Sequence, residues 1–396
     1  MRSFLYAVAA FCMLAASACD DPLDPPAAME PDTLPVLGSG IVSERFTGEV
    51  AARGDWAYTS TWSFLLAPGN AVKVWNVSGD TPVLTDSLII AGARTTGDVQ
   101  ISDDGALLVV ATEFEPGSIV IYDRSNPARP TLLSTFSTAN TARGVHTVKL
   151  GRVGGRLYAF LSVDPGAQPA QLVIADITDP RNPREVWAQV MGNPYVHDVF
   201  VRDGLLFTAL WDDGMRILDI GGGALGGSPA APRLISSVAI PAGNIHNIWW
   251  FHDPRSGAKR YAFLGEEGPG SVGGGASGDI HVVDVSDPSQ PRYVALYHLP
   301  GAGTHNFWMD EPSGILYAAY YNGGVRALDV RGDLSVCTAD QKTMTGLCDL
   351  RLMKRERGVA LTSGHFVWGV VHQATHVYAS DMRSGIYKLD ASGLQR

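Results

Sequence analysis

The sequence predicts an all-β protein: a seven-bladed β-propeller of four-stranded antiparallel blades, closed by an N-terminal strand that completes the last blade. Three observations carry this. A strand ending in aspartate recurs along the chain. A second anchor, most often a histidine at a strand start, lies upstream of each copy. The interval between anchors is near fifty residues, room for four short strands and their turns.

The recurring strand reads VKVWN (72–76), IVIYD (119–123), LVIAD (172–176), MRILD (215–219), IHVVD (280–284), VRALD (325–329) and IYKLD (386–390). Only the first copy replaces Asp, with Asn76. A proline turn follows several copies: SNPARP (125–130), TDPRNP (178–183) and SDPSQP (286–291). The upstream anchors are Gly48, Gly97, His146, His197, His246, His305 and His365, spaced by 49, 49, 51, 49, 59 and 60 residues. The two long intervals contain a glycine-rich insert (268–278) and the loop between Cys337 and Cys348.

The fourth copy shows all four strands: HDVFV, then LLFTALW (205–211), MRILDI and RLISSVAI (233–240). Asp203–Gly204 and Asp213–Gly214 are hairpin signals between them. The seventh copy ends after its third strand, and GIVSERFTG (40–48) precedes the first anchor as a fourth strand. The N-terminus is therefore expected to close the ring and remove its open sheet edges. Composition agrees: 44 Gly and 24 Pro with 18% charged residues suit short strands joined by tight turns.

Residues 1–18 read as a signal peptide, with Arg2, an apolar run from Phe4 to Leu14, and small residues leading to Cys19. Small residues before a cysteine resemble a bacterial lipobox, so Cys19 is expected to be lipidated. An ordinary secretory signal cleaved nearby is the alternative. Residues 19–39 are acidic and Pro-rich and read as a flexible tether, leaving 40–396 for the propeller. The expected address is the bacterial cell envelope, lipid-anchored and extracytoplasmic, touching the membrane only through that lipid. Cys337 and Cys348 then read as a disulfide, with free thiols as the alternative. The net charge is -10, and the only short basic run is Lys354–Arg355–Arg357. Nucleic acid is excluded as a partner on that ground. A monomer is expected.

The aspartate-ending strand, its (S/T)-(D/N)-P-x-x-P turn and the His-Asp/Asn start resemble the LVIVD-repeat family of extracytoplasmic propellers over residues 40–396. Gly48, Gly97 and Asn76 depart from that pattern. The resemblance implies an envelope or surface protein and assigns no activity.

Strand parity places all seven anchors on one face with the second-to-third-strand connections. The candidate binding face is His146, His197, His246, His305, His365, Asp98, Asp198, Trp211, Asp212, Glu266, Tyr321 and Asp381. The repeated aspartates are expected to cap turns on the opposite face. The histidines admit two readings. Each orders its own blade through backbone bonds, or several converge on the axis, where His197, His246, His305 and His365 would hold a transition metal. Two function classes follow: a binding or scaffold module for a protein, peptide or glycan, and a metal-dependent lyase or hydrolase using Asp198 or Glu266 as acid/base. No GxSxG elbow, P-loop or HExxH motif is present.

Overall fold

Alternation dictates the architecture. In Leu107–Glu113, Leu108 and Val110 pack toward blade 1 while Val109 and Ala111 pack toward blade 3. A strand that is apolar on both sides needs a neighbour on both sides, and a ring of blades supplies them. The structure is a computed structural model that describes residues 33–394, apart from 64–65, 164–169, 242, 269 and 271. The signal segment, Cys19, most of the tether and Asp164 lie outside the described residues.

The chain forms seven four-stranded antiparallel sheets in ring order, one of them extended by a fifth strand. Their innermost strands are Phe46–Arg53, Thr95–Ile101, Thr147–Val153, Asp198–Arg202, Ile245–Trp250, Phe307–Asp310 and Val367–Gln373. Blade 4 shows the plan: Asp198–Arg202 pairs Leu205–Ala209, which pairs Met215–Asp219, which pairs Arg233–Val238. Seven apolar clusters fill the seven blade interfaces, from Tyr58 and Val110 between blades 1 and 2 to Val50 and Tyr378 between 7 and 1. Each fully buried Val, Leu or Ile there stabilises the ring by roughly 1.5–3 kcal/mol.

The closing strand is Val36–Ile41, paired antiparallel with Gly385–Asp390. Closure by the N-terminus is thus present, four residues earlier than the boundary at 40 allowed. Leu34 is buried and packs into the interface of blades 6 and 7, so residues 33–39 belong to the fold rather than to a tether.

The repeated aspartates do what turns require. Each carboxylate accepts the backbone N–H two residues on, as in Ser125 to Asp123 at 2.7 Å, Thr178 to Asp176 at 3.0 Å and Ser286 to Asp284 at 3.0 Å. Asn76 accepts the same bond from Ser78 at 3.0 Å, which explains its place in the series. The proline turns also join blades: the Pro127 carbonyl accepts from Tyr58 of blade 1, and the Pro288 carbonyl from Ser236 of blade 4. Cys337 and Cys348 form a disulfide. The loop they close brings Cys348–Asp349 alongside Arg292–Tyr297 as a fifth, parallel strand of blade 5.

Candidate functional site

The register fixes which residues point at the axis. On the inner strands, Val50, Val99, Val148, Val199, Ile248, Phe307 and Val370 occupy equivalent pairing positions. Counting back two residues gives Gly48, Gly97, His146, His197, His246, His305 and, in blade 7, Trp368. The seventh anchor is therefore Trp368 and not His365. His365 precedes the strand and packs edge-on against Tyr387 at 4.9 Å. Its expected roles in the binding face and as a metal ligand are not supported by this placement.

The other four histidines converge. The ring centroids run His146–His197 at 4.5 Å, His197–His246 at 4.1 Å, His246–His305 at 4.1 Å and His305–Trp368 at 4.2 Å. Trp62 completes the circle, 5.5 Å from Trp368 and 6.0 Å from His146. The axis is thus collared by four imidazoles and two indoles, which favours the second reading of the histidines over blade ordering alone.

Polar groups set the orientation of each imidazole. His146 Nε2 is 3.0 Å from His197 Nε2, and its Nδ1 is 3.3 Å from Glu113. His305 Nδ1 bonds the Trp368 carbonyl at 2.6 Å, which makes that nitrogen the donor and leaves Nε2 with its lone pair. Glu267 reaches the collar from the loop after Tyr261–Glu266. Its Oε2 is 3.6 Å from His246 Nε2 and 3.9 Å from His197 Nε2, and its Oε1 accepts the Tyr321 hydroxyl. Burial pushes Glu267 up to about 6. Burial and the neighbouring imidazoles hold His197 and His246 well below the usual histidine range, and burial takes His305 down to about 3. These rings are neutral at physiological pH.

Beneath the collar lies a small polar cavity of about 60 Å³, whose lining includes Glu49, Asp98, Asp198, Asn247, Asn306 and Lys149. Asn306 donates to Glu49, and the backbone N–H of Val148 donates to Asp98 at 3.0 Å. Burial raises all three acids: Glu49 well above its usual value, with Asp98 adding to the effect, and Asp198 to about 7. Blade 7 contributes Gly369 at this level. A Cβ there would lie 2.6 Å from a Glu49 carboxylate oxygen, so glycine makes room for that side chain.

Of the expected face, His146, His197, His246, His305, Asp98, Asp198 and Tyr321 meet around the axis, and Trp211 stacks on His197 at 5.2 Å. Asp212 follows Trp211 in an exposed loop. Two acids do not reach the axis. Glu266 faces outward, binding His281 at 3.1 Å and the backbone N–H of Asp279 at 3.2 Å, because it ends the strand on the side opposite Glu267. Asp381 is fully buried and caps a turn, accepting from the backbone of Phe366 and Arg383. Sequence reasoning put the Glu266–Glu267 connection on this face but took Glu266 as the site residue, and it missed Trp368 as the seventh anchor. The signal was present: W-G-V at 368–370 continues the series G-E-V, G-D-V, H-T-V, H-D-V.

The LVIVD repeat model matches residues 93–138, 194–239 and 275–298, which fall on blades 2, 4 and 5. No curated protein matches the chain. Among solved structures, the chain is similar to Sqt1 of Saccharomyces cerevisiae, with 10% identity over 90% of this chain and 85% of that one, at a TM-score of 0.55. That likeness is one of fold alone. Strand-ending aspartates, their capped turns and the seven closed sheets agree with the repeat match: the chain is a seven-bladed β-propeller that carries LVIVD repeats.

Proposed function

We propose that the protein is a binding module that takes a peptide or protein segment at the mouth of the axis. The observation that carries this is the set of half-buried aromatics around that mouth. Trp211 stacks on the collar, Tyr195 lies 5.0 Å from Trp211, and Trp62 closes the circle of rings. Aromatic side chains with one face covered and one face open are the usual anchors of an interface. The exposed Asp212 beside them and the net charge of -10 favour a basic segment. The enzyme alternative meets an obstacle of size. A cavity of about 60 Å³ holds a few waters, whereas pockets for organic substrates run to roughly 300–1,000 Å³.

The reading includes attachment to the cell envelope through Cys19, supported by the segment that precedes it. For the mouth itself, a peptide display library and a glycan array are panned on the folded chain. Trp211→Ala is expected to weaken selected peptides about tenfold or more, while Leu132→Ala, on the exposed outer strand of blade 2, leaves them unchanged. Selection of glycans in place of peptides would replace the partner class. Binders indifferent to both Trp211→Ala and Tyr195→Ala would remove the mouth as the site.

A further inference from the structure

We propose that the axis binds one divalent first-row transition metal ion through His197, His246 and Glu267. These three residues offer ligand atoms that all lie within 4.8 Å of one another. Two ligands at bond lengths of ~2.1 Å in a tetrahedral site sit about 3.4 Å apart. The observed separations from Glu267 Oε2 are 3.6 Å to His246 Nε2 and 3.9 Å to His197 Nε2. A small inward movement of either ring closes that gap.

The surroundings are arranged as the outer groups of a metal site are. The Tyr321 hydroxyl occupies Glu267 Oε1 and leaves Oε2 to the ion. Glu113 lies 3.3 Å from His146 Nδ1, and His146 Nε2 is 3.0 Å from His197 Nε2; the ion takes the place of that His146–His197 contact, with His197 deprotonated at Nε2. His246 is 2% exposed, yet its Nδ1 has no hydrogen-bond partner among the described residues. No acceptor among the described residues therefore fixes its tautomer, and the proton can sit on Nδ1 and leave the Nε2 lone pair to the ion.

The donor chemistry selects the ion. Two imidazoles and one carboxylate suit zinc or another first-row divalent ion. Thiolate-preferring ions are disfavoured, since Cys337 and Cys348 are joined in a disulfide on the rim of blade 5. The cavity beneath the collar borders His146, His246 and His305, so water has room beside a three-ligand ion. Three protein ligands and an open position distinguish such a site from a closed structural one.

This proposal does not rest on the binding of a partner at the mouth and is read separately from it. The full folded chain is stripped with chelator, dialysed against zinc chloride, and analysed for metal per chain; cobalt is then substituted for its visible absorption. About one ion per chain is expected, with tetrahedral cobalt bands. His246→Ala and the near-isosteric Glu267→Gln are each expected to lose at least about tenfold in affinity, and Tyr321→Phe about tenfold through the outer shell. His365→Ala is expected to keep full occupancy. Circular dichroism checks each fold, and Tyr321→Phe replaces any variant that departs from the parent. A parent chain that retains no zinc and shows no cobalt bands overturns the site. So does full occupancy in both Glu267→Gln and Tyr321→Phe.

Discussion

Four backbone N–H groups, from Gly221, Gly223, Leu225 and Gly227, converge on the Asp219 carboxylate at 2.8–3.1 Å. Burial works against the charge, but these bonds outweigh it and hold Asp219 down to about 2. The unfolded value is near 3.8. A depressed folded value contributes stability that is full above the unfolded pKa and is lost as pH falls through about 4 towards 2. Asp219→Asn is therefore expected to cost about 1–3 kcal/mol at neutral pH. The cost should shrink as thermal melts are repeated from pH ~5 down to ~2.5; a constant difference across that range would remove the carboxylate's charge from the account. Capping by the repeated aspartates was readable from the sequence because it is local, reaching two residues along the chain. The axial position of Glu267 was not, because it depends on which of two adjacent acids faces the axis. Glu266 and Glu267 differ by one position, and in a strand one position reverses the face. The collar was half-readable for the same reason. Four histidines fell in register, and His365 missed it by three residues while Trp368 filled its place.

The periodic reading placed one element a few residues late and missed another, each for a physical reason. The closing strand Val36–Ile41 reads VLGSGI, with glycines where strands prefer branched side chains. The structure requires one of them: a Cβ on Gly40 would lie 2.3 Å from the Trp75 ring of blade 1. The fifth strand of blade 5 has only two residues, Cys348–Asp349, and pairs with a strand some fifty positions earlier. A contact so short and so distant leaves no pattern, although the cysteines that anchor it were legible. Closing that loop is worth about 3 kcal/mol in chain entropy, and the loop also packs into the fold: Cys348 and Leu350 are buried in the apolar cluster between blades 5 and 6, with Cys337 against it. Cys337→Ser is thus expected to expose residues 333–355 to limited proteolysis, read by mass spectrometry, and to lower the melting temperature of the ring without preventing its closure. An intact 333–355 segment, or collapse of the whole ring, would show that the disulfide does something other than pin this strand.

The ring as a whole was the most legible feature, because seven near-copies with a constant interval leave few other ways to bury two-sided strands. Its attachment is a separate matter, argued from the segment before the fold. If Cys19 carries the lipid, Cys19→Ala should move the protein from the membrane to the soluble fraction after cell fractionation; unchanged partition would end that reading. The closing strand then acquires a consequence. The third strand of each blade runs from the mouth to the opposite face, where Asp390 ends the last copy. The Asp390 backbone N–H donates to the carbonyl of Pro35 at 2.9 Å, and the N–H groups of Thr33 and Leu34 donate to the carbonyl of Val359 on the outer strand of blade 6, so the chain joins the disc at its edge, between blades 6 and 7. Residues between Cys19 and Thr33 reach at most about 50 Å. A molecule tied there by a lipid would be held at its edge, with the imidazole collar left open to whatever diffuses past.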